Sequence, residues 1–168
     1  MVMIEILSAL TLIGDIILLL LVPAWLLRKQ LKPLRQKIAP LVPKLSFIIA
    51  LIAVSGSLYF SEILAWNPCK LCWLQRIMMY PLLLIFLIAV IAKARDYRKY
   101  VLPLAVLGVP LSIYHYWTQR FGAPPVCSAA AESCASYPFL YFGYITIPIM
   151  ALTAFLLIIV LNNLFWKE

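Results

Sequence analysis

Four cysteines offer redox chemistry in this chain, and they fall into two unlike pairs. The first pair lies in Asn67-Pro68-Cys69-Lys70-Leu71-Cys72-Trp73-Leu74-Gln75-Arg76, where a Cys-x-x-Cys spacing opens a long apolar run. Residues three apart share a helix face and bring two Cα atoms within reach of a disulfide. The free amides and positive dipole end of a helix start favour the thiolate, which is the form that exchanges. Arg76 follows Cys72 by one turn on the same face, and Tyr80 continues the stripe a turn deeper. A fixed cation beside a thiolate, away from water, suits an electron-accepting ring such as a quinone, whose oxygen gains charge on reduction. The plainer reading of Arg76 is a helix-end cation that snorkels to the interface, a task Lys would perform as well.

The second pair, Cys127 and Cys134, brackets Ser128-Ala129-Ala130-Ala131-Glu132-Ser133 and follows the turn-rich Gly122-Ala123-Pro124-Pro125. Closing so short a loop has a modest entropic cost, so its bond can form and break without unfolding the rest. These cysteines are expected in an irregular, exposed segment that a soluble protein can reach. Two plainer uses compete. Static disulfides pinning outer loops are common in oxidising compartments. A structural zinc site needs four thiolates, but the second spacing is loose for it, and no metal is expected.

Three further polar residues need weighing. His115 is the single histidine, and it either lines a quinone pocket and moves a proton or sits in an interfacial belt with Tyr114, Tyr116 and Trp117. Glu62 either exchanges quinone protons or faces headgroup water. Asp15 falls mid-run in the first apolar segment with no cationic partner in any other; an acid there is either functional or a hydrogen-bonded packing element.

What must position these residues follows from composition. The chain has 168 residues, 65% hydrophobic and 12% charged, with a mean hydropathy of +1.02. A soluble domain of this size could not bury so much apolar surface, whereas a bilayer about 30 Å thick takes about 20 apolar residues per helix. Five apolar stretches are read as spans: Ile4 to Leu27, Leu45 to Trp66, Leu71 to Ile91, Tyr100 to Trp117, and Phe139 to Phe165. Prolines inside or near them, such as Pro81, Pro103 and Pro110, are tolerated because neighbouring helices satisfy the freed carbonyls. The first stretch has no cation before it and is too long for a signal peptide, so it is expected to be retained.

The net charge of +8 is no mark of nucleic acid, because the cations are confined to helix ends and short loops. All but Lys70, Arg76 and Arg120 of the 14 Lys and Arg residues fall on one side of the proposed topology, including the acid-free cluster between Arg28 and Lys44. The positive-inside rule then puts the N-terminus outside, the C-terminus in the cytoplasm and both cysteine loops on the oxidising, extracytoplasmic side of the cell membrane. The expected organisation is an extra N-terminal helix (1–27), a basic linker (28–44) and a four-helix catalytic bundle (45–168). The fold class is therefore an all-α membrane protein, a four-helix transmembrane bundle with one added helix.

From about Leu45 to Val160 the sequence resembles the disulfide bond formation protein B family, the DsbB and BdbC quinone-dependent thiol oxidases, and looks closer to the Gram-positive type. The resemblance is carried by Gly56-Ser57-Leu58-Tyr59-Phe60-Ser61-Glu62, by Pro68-Cys69 through Arg76 with Met79-Tyr80-Pro81, by Tyr114-His115-Tyr116 and by Gly143-Tyr144-Ile145-Thr146-Ile147-Pro148. It implies a membrane oxidoreductase that reoxidises a thioredoxin-fold, DsbA- or BdbD-like partner and passes the electrons to the membrane's menaquinone or ubiquinone pool. By position, Cys127 would form the mixed disulfide with the partner and Cys134 would resolve it. Cys69 would relay electrons between loops, Cys72 would engage the quinone ring, and Arg76 would support it; His115 by resemblance, with Tyr80 and Glu62, completes the candidate quinone site. The first helix lies outside the family's four-span pattern. Two rivals stand beside this reading: a vitamin K epoxide reductase-like enzyme, whose active pair belongs near the end of a later helix, and a non-enzymatic scaffold with structural disulfides.

Overall fold

The computed structural model describes residues 2–26, 36–94, 96–122, 134–135 and 138–165. Cys127 lies outside the described residues. Among the described residues there are five long helices: α1 (Val2–Leu26), α2 (Val42–Leu58), α3 (Lys70–Ile91), α4 (Arg98–Phe121) and α5 (Ile147–Leu164). All five are long and apolar enough to cross a membrane. Each leaves at least half of its span outside the protein core, as expected where lipid rather than water meets the outer faces.

Local chemistry sets the ends of these helices. A 3₁₀ turn, Ala39–Leu41, leads into α2, with a proline in the first turn of each; proline suits that position because its missing N–H would be unpaired anyway. Helical residues reach back to Gln36, so the second span is Gln36–Ile63 and begins nine residues before the expected Leu45. Its C-terminal end widens into a π-helical turn, Tyr59–Ile63. Cys69 is the N-cap of α3, with extended backbone and its sulfur accepting the Cys72 N–H at 3.4 Å.

The last span differs most from the sequence expectation. It starts at Ile147 rather than Phe139. Tyr141 and Ile145 pair in an isolated antiparallel bridge, and Phe142 and Gly143 take left-handed φ values of 51° and 78°. Such a reversal breaks any helix, and Thr146 is then extended before the proline-bearing first turn of α5. The apolar run is continuous, but its first part forms a turn at the end of the bundle where α3 begins.

The main core joins α2, α3, α4 and α5 around Leu82, Phe86, Val101, Ala105, Phe155 and Ile158, all fully buried. Along the bundle's side, α1 packs against α5. At that contact Asp15 accepts hydrogen bonds from Tyr144 Oη (2.8 Å) and Thr153 Oγ1 (2.7 Å). The mid-span acid is therefore satisfied by hydroxyl donors, the only economical way to hold a carboxyl group at such a place without a cation.

Candidate redox site

The cap geometry brings the sulfurs of Cys69 and Cys72 to 3.1 Å, within hydrogen-bond contact. Both cysteines are free thiols in this structure. Cys69 is buried, and its thiol is pushed up from the usual 9.0 to about 12, first by the hydrogen bond with Cys72 and then by burial, with His115 pulling the other way. A proton therefore stays on Cys69 at physiological pH unless a base removes it.

An imidazole stands beside it. His115 is buried, with Nε2 3.6 Å from Cys69 Sγ and Nδ1 3.3 Å from Gln75 Oε1. Gln75 Nε2 donates to Ser112 Oγ at 2.9 Å, and Ser112 Oγ donates to the Gly108 carbonyl at 2.9 Å. The chain of donors fixes the histidine tautomer. A carbonyl can only accept, so Ser112 spends its proton on Gly108 and must accept from the Gln75 amide. Gln75 then presents its oxygen to His115, which carries its hydrogen on Nδ1 and turns the bare Nε2 toward Cys69.

Arg76, one turn below Cys72, donates through Nε to Ser57 Oγ (2.8 Å) and through Nη2 to the Ser57 carbonyl (2.7 Å), and lies 5.3 Å from the Trp73 ring centre. Two bonds to one residue at the end of α2 fix the plane of the guanidinium. The π-helical turn begins two residues after Ser57, and turns of that kind gather at functional sites.

These groups share a cavity of about 720 Å³, lined by Cys69, Cys72 and His115 around the start of α3, by Arg76 and Tyr80 one and two turns further along that helix, and largely by apolar side chains of α1, α2 and α5. The Tyr80 hydroxyl is buried with no hydrogen-bond partner among the described residues. An unpaired buried hydroxyl is costly, and here it borders a cavity that also contains a guanidinium. Together they offer donors to a carbonyl-bearing, otherwise apolar ring, so the residues present fit a quinone. Ligand atoms of Cys69, Cys72 and His115 also lie within 4.8 Å of one another.

Of the residues expected from sequence, the structure gathers Cys69, Cys72, Arg76, Tyr80 and His115 around one cavity. Glu62 is elsewhere, exposed on the π turn and accepting from Ser61 Oγ at 2.9 Å. Cys134 departs from the expected exposed loop: it is 1% exposed and packs in a cluster with Cys69 and Leu71, against which Cys72 also rests. A small apolar thiol is readily buried in this way, and the contact places a second-pair sulfur against the first pair. Sequence reasoning missed Gln75, Ser112 and the anchoring role of Ser57. The available signal was polarity within apolar spans, Gln75 three residues after Cys72 and Ser112 three before His115.

A multi-pass helical bundle with a vicinal dithiol at the mouth of an apolar cavity defines the class: a membrane protein equipped for thiol–disulfide exchange. Residues 41–165 match the family model described as disulfide bond formation protein DsbB, and the chain belongs to that family. It is 49% identical over 119 residues to disulfide bond formation protein C of Bacillus subtilis, covering 68% of this chain and 85% of that protein. A probable disulfide formation protein C of Halalkalibacterium halodurans is 41% identical over 128 residues, covering 73% and 91%. A probable disulfide formation protein of Deinococcus radiodurans is 40% identical over 128 residues, covering 70% and 83%. No solved structure matches the chain significantly.

Proposed function

We propose that this protein reoxidises an extracytoplasmic thioredoxin-fold dithiol oxidase and delivers the electrons to a membrane quinone. The observation that carries this reading is the meeting, at one cavity, of a hydrogen-bonded Cys69–Cys72 pair, a fixed Arg76 guanidinium and a Tyr80 hydroxyl with no partner among the described residues. Family membership supports the thiol chemistry. A vitamin K epoxide reductase-like enzyme would have its active pair near the end of a later helix; here the pair caps the start of α3.

In the proposed sequence, the partner's thiolate attacks the Cys127–Cys134 disulfide at Cys127, and the partner's second thiol displaces it, leaving the partner oxidised and Cys127–Cys134 reduced. Cys134, packed against the first pair, then attacks the Cys69–Cys72 disulfide. Cys127 closes the second pair again, so two electrons now reside on Cys69 and Cys72. His115 Nε2 takes the Cys69 proton. Cys72 lines the cavity, where Arg76 and Tyr80 would hold an electron acceptor's oxygens, and the Cys69–Cys72 disulfide re-forms as the dithiol gives up two electrons and two protons to that acceptor. Bound quinone supplies the two-electron, two-proton sink.

The test uses purified protein, a reduced thioredoxin-fold oxidase and a quinone, followed by quinone absorbance. One quinone reduced per partner dithiol is expected. Cys72→Ser abolishes turnover while the bundle stays folded; unchanged quinone reduction in that variant overturns the reading in favour of structural disulfides.

A further inference from the structure

Resting on the quinone reading above, one part of the molecule asks for a use of its own. The family match begins at residue 41, so α1 stands outside it. Yet α1 lines the same cavity as Cys72 and Arg76, through Leu10, Ile13 and Ile17 among others. At the outer end α1 touches α2 closely: a Cβ on Gly56 would stand 3.1 Å from the Leu7 side chain. Below that contact the two helices part, and Leu10, Ile13 and Ile17 face the cavity across from Leu45, Ile48 and Ile52 of α2.

The gap runs from the dithiol toward the inner side of the bundle. From Leu7 to Ile17 it extends about 15 Å at 1.5 Å per helical residue. Its lining is mostly apolar, with Thr11 and Thr153 interspersed, and the thiols and the Arg76 guanidinium, bonded to Ser57, stand at the Gly56 end. Such a space suits a molecule with a polar ring at one end and a long, branched, wholly apolar chain behind it. The wall is also held firmly. Gly14 lets α1 approach α5 closely, since a Cβ there would lie 2.9 Å from Thr153 Cγ2, and the next residue, Asp15, takes hydrogen bonds from Thr153 and Tyr144.

We propose that α1 forms one wall of a groove for the polyisoprenoid tail of the quinone, so that this helix sets a preference for long-chain over tail-less quinones. The ring site belongs to α3 and α4; the tail site is completed only by α1. Leu10, Ile13 and Ile17 are its specificity determinants, and Asp15 is a positioning residue that keeps the wall in place.

The test has two parts. The unmodified protein is irradiated with a naphthoquinone bearing a diazirine in its polyisoprenoid tail, and labelled peptides are mapped. Label on residues 7–17 is expected; label confined to 41–165 overturns the proposal. Separately, Ile13→Trp, which fills the groove, raises the ratio of KM for the long-chain naphthoquinone to KM for its tail-less parent by about tenfold or more. An unchanged ratio overturns the proposal. If the unmodified protein reduces neither quinone, the function proposed above fails; if it reduces both but the tail never labels α1, only the role of this helix fails.

Discussion

In the proposed relay Cys69 holds a proton in one state and surrenders it in the next, with His115 and Gln75 behind it. The Cys72 sulfur and burial raise its thiol to about 12, while His115 lowers it. Removing the imidazole therefore leaves the thiol still higher, and the thiolate fraction falls at every pH below that value. His115→Phe is expected to slow exchange through Cys69 by about a hundredfold, the lower end of general-base effects, and to move the rise of the rate–pH curve to higher pH. Stopped-flow reoxidation of the Cys69–Cys72 dithiol across pH measures both. Gln75 acts through His115: Gln75→Leu frees the tautomer and slows the same step, whereas Gln75→Glu keeps an acceptor for Nδ1–H and restores it. A Gln75→Leu variant with a native pH profile would show that Gln75 only packs. The cysteine spacing and the Arg76–Tyr80 stripe made most of this cluster legible in sequence, since each is a local helical relation. Gln75 and Ser112 were not legible because their partners lie on another helix, 37 residues apart in sequence. Glu62 illustrates the converse: proximity to the motif did not bring its side chain to the cavity.

The helices were legible as apolar runs, but their ends were not, because hydropathy carries no information about turns. Phe139 to Thr146 is as apolar as a helix and instead reverses at Phe142–Gly143. Interhelical packing was likewise hidden. Gly108 of α4 faces the ring of the fully buried Phe155 on α5, where a Cβ would stand 2.4 Å from Cζ. Gly108→Ala must push the two helices apart, at about 1–3 kcal/mol for overpacking. Because the Gly108 carbonyl also receives Ser112, the variant is expected to lower the thermal midpoint in detergent and to slow Cys69 exchange together. Asp15→Ala acts at the other interface. It leaves the Tyr144 hydroxyl without its acceptor and Thr153 with only the Ile149 carbonyl, and the Tyr144 phenol, held up at about 12 by burial and by Asp15, remains a donor throughout the physiological range. The expected loss is about 1–3 kcal/mol, read as a lower unfolding midpoint, while Asp15→Asn retains an acceptor and loses less. Equal midpoints for Asp15→Ala and the unmodified protein would show that this contact does not hold α1.

At the scale of the whole molecule, the proposed chemistry depends on which way the bundle faces, because a disulfide relay works only where its substrate is to be oxidised. The arrangement of charge argues for one orientation. Lys37, Lys44, Lys93, Arg98 and Lys99 gather at the end of the bundle opposite Cys69, and Arg98 reaches across to Asn163 near the end of α5. Flipping the bundle would carry this set of cations across the membrane, which the positive-inside bias opposes. Two exposed positions at opposite ends allow a direct test: Leu140, on the turn before α5, and Asp96, between α3 and α4. In a variant whose native cysteines are replaced by serine, Leu140→Cys is expected to react with a membrane-impermeant maleimide added to intact cells, and Asp96→Cys only after the membrane is opened. The reverse pattern would put Cys69, Cys72 and Cys134 in the reducing compartment, where thiols are kept reduced. The bundle and its cavity would survive that result, but the proposed flow of electrons from an extracytoplasmic partner would not.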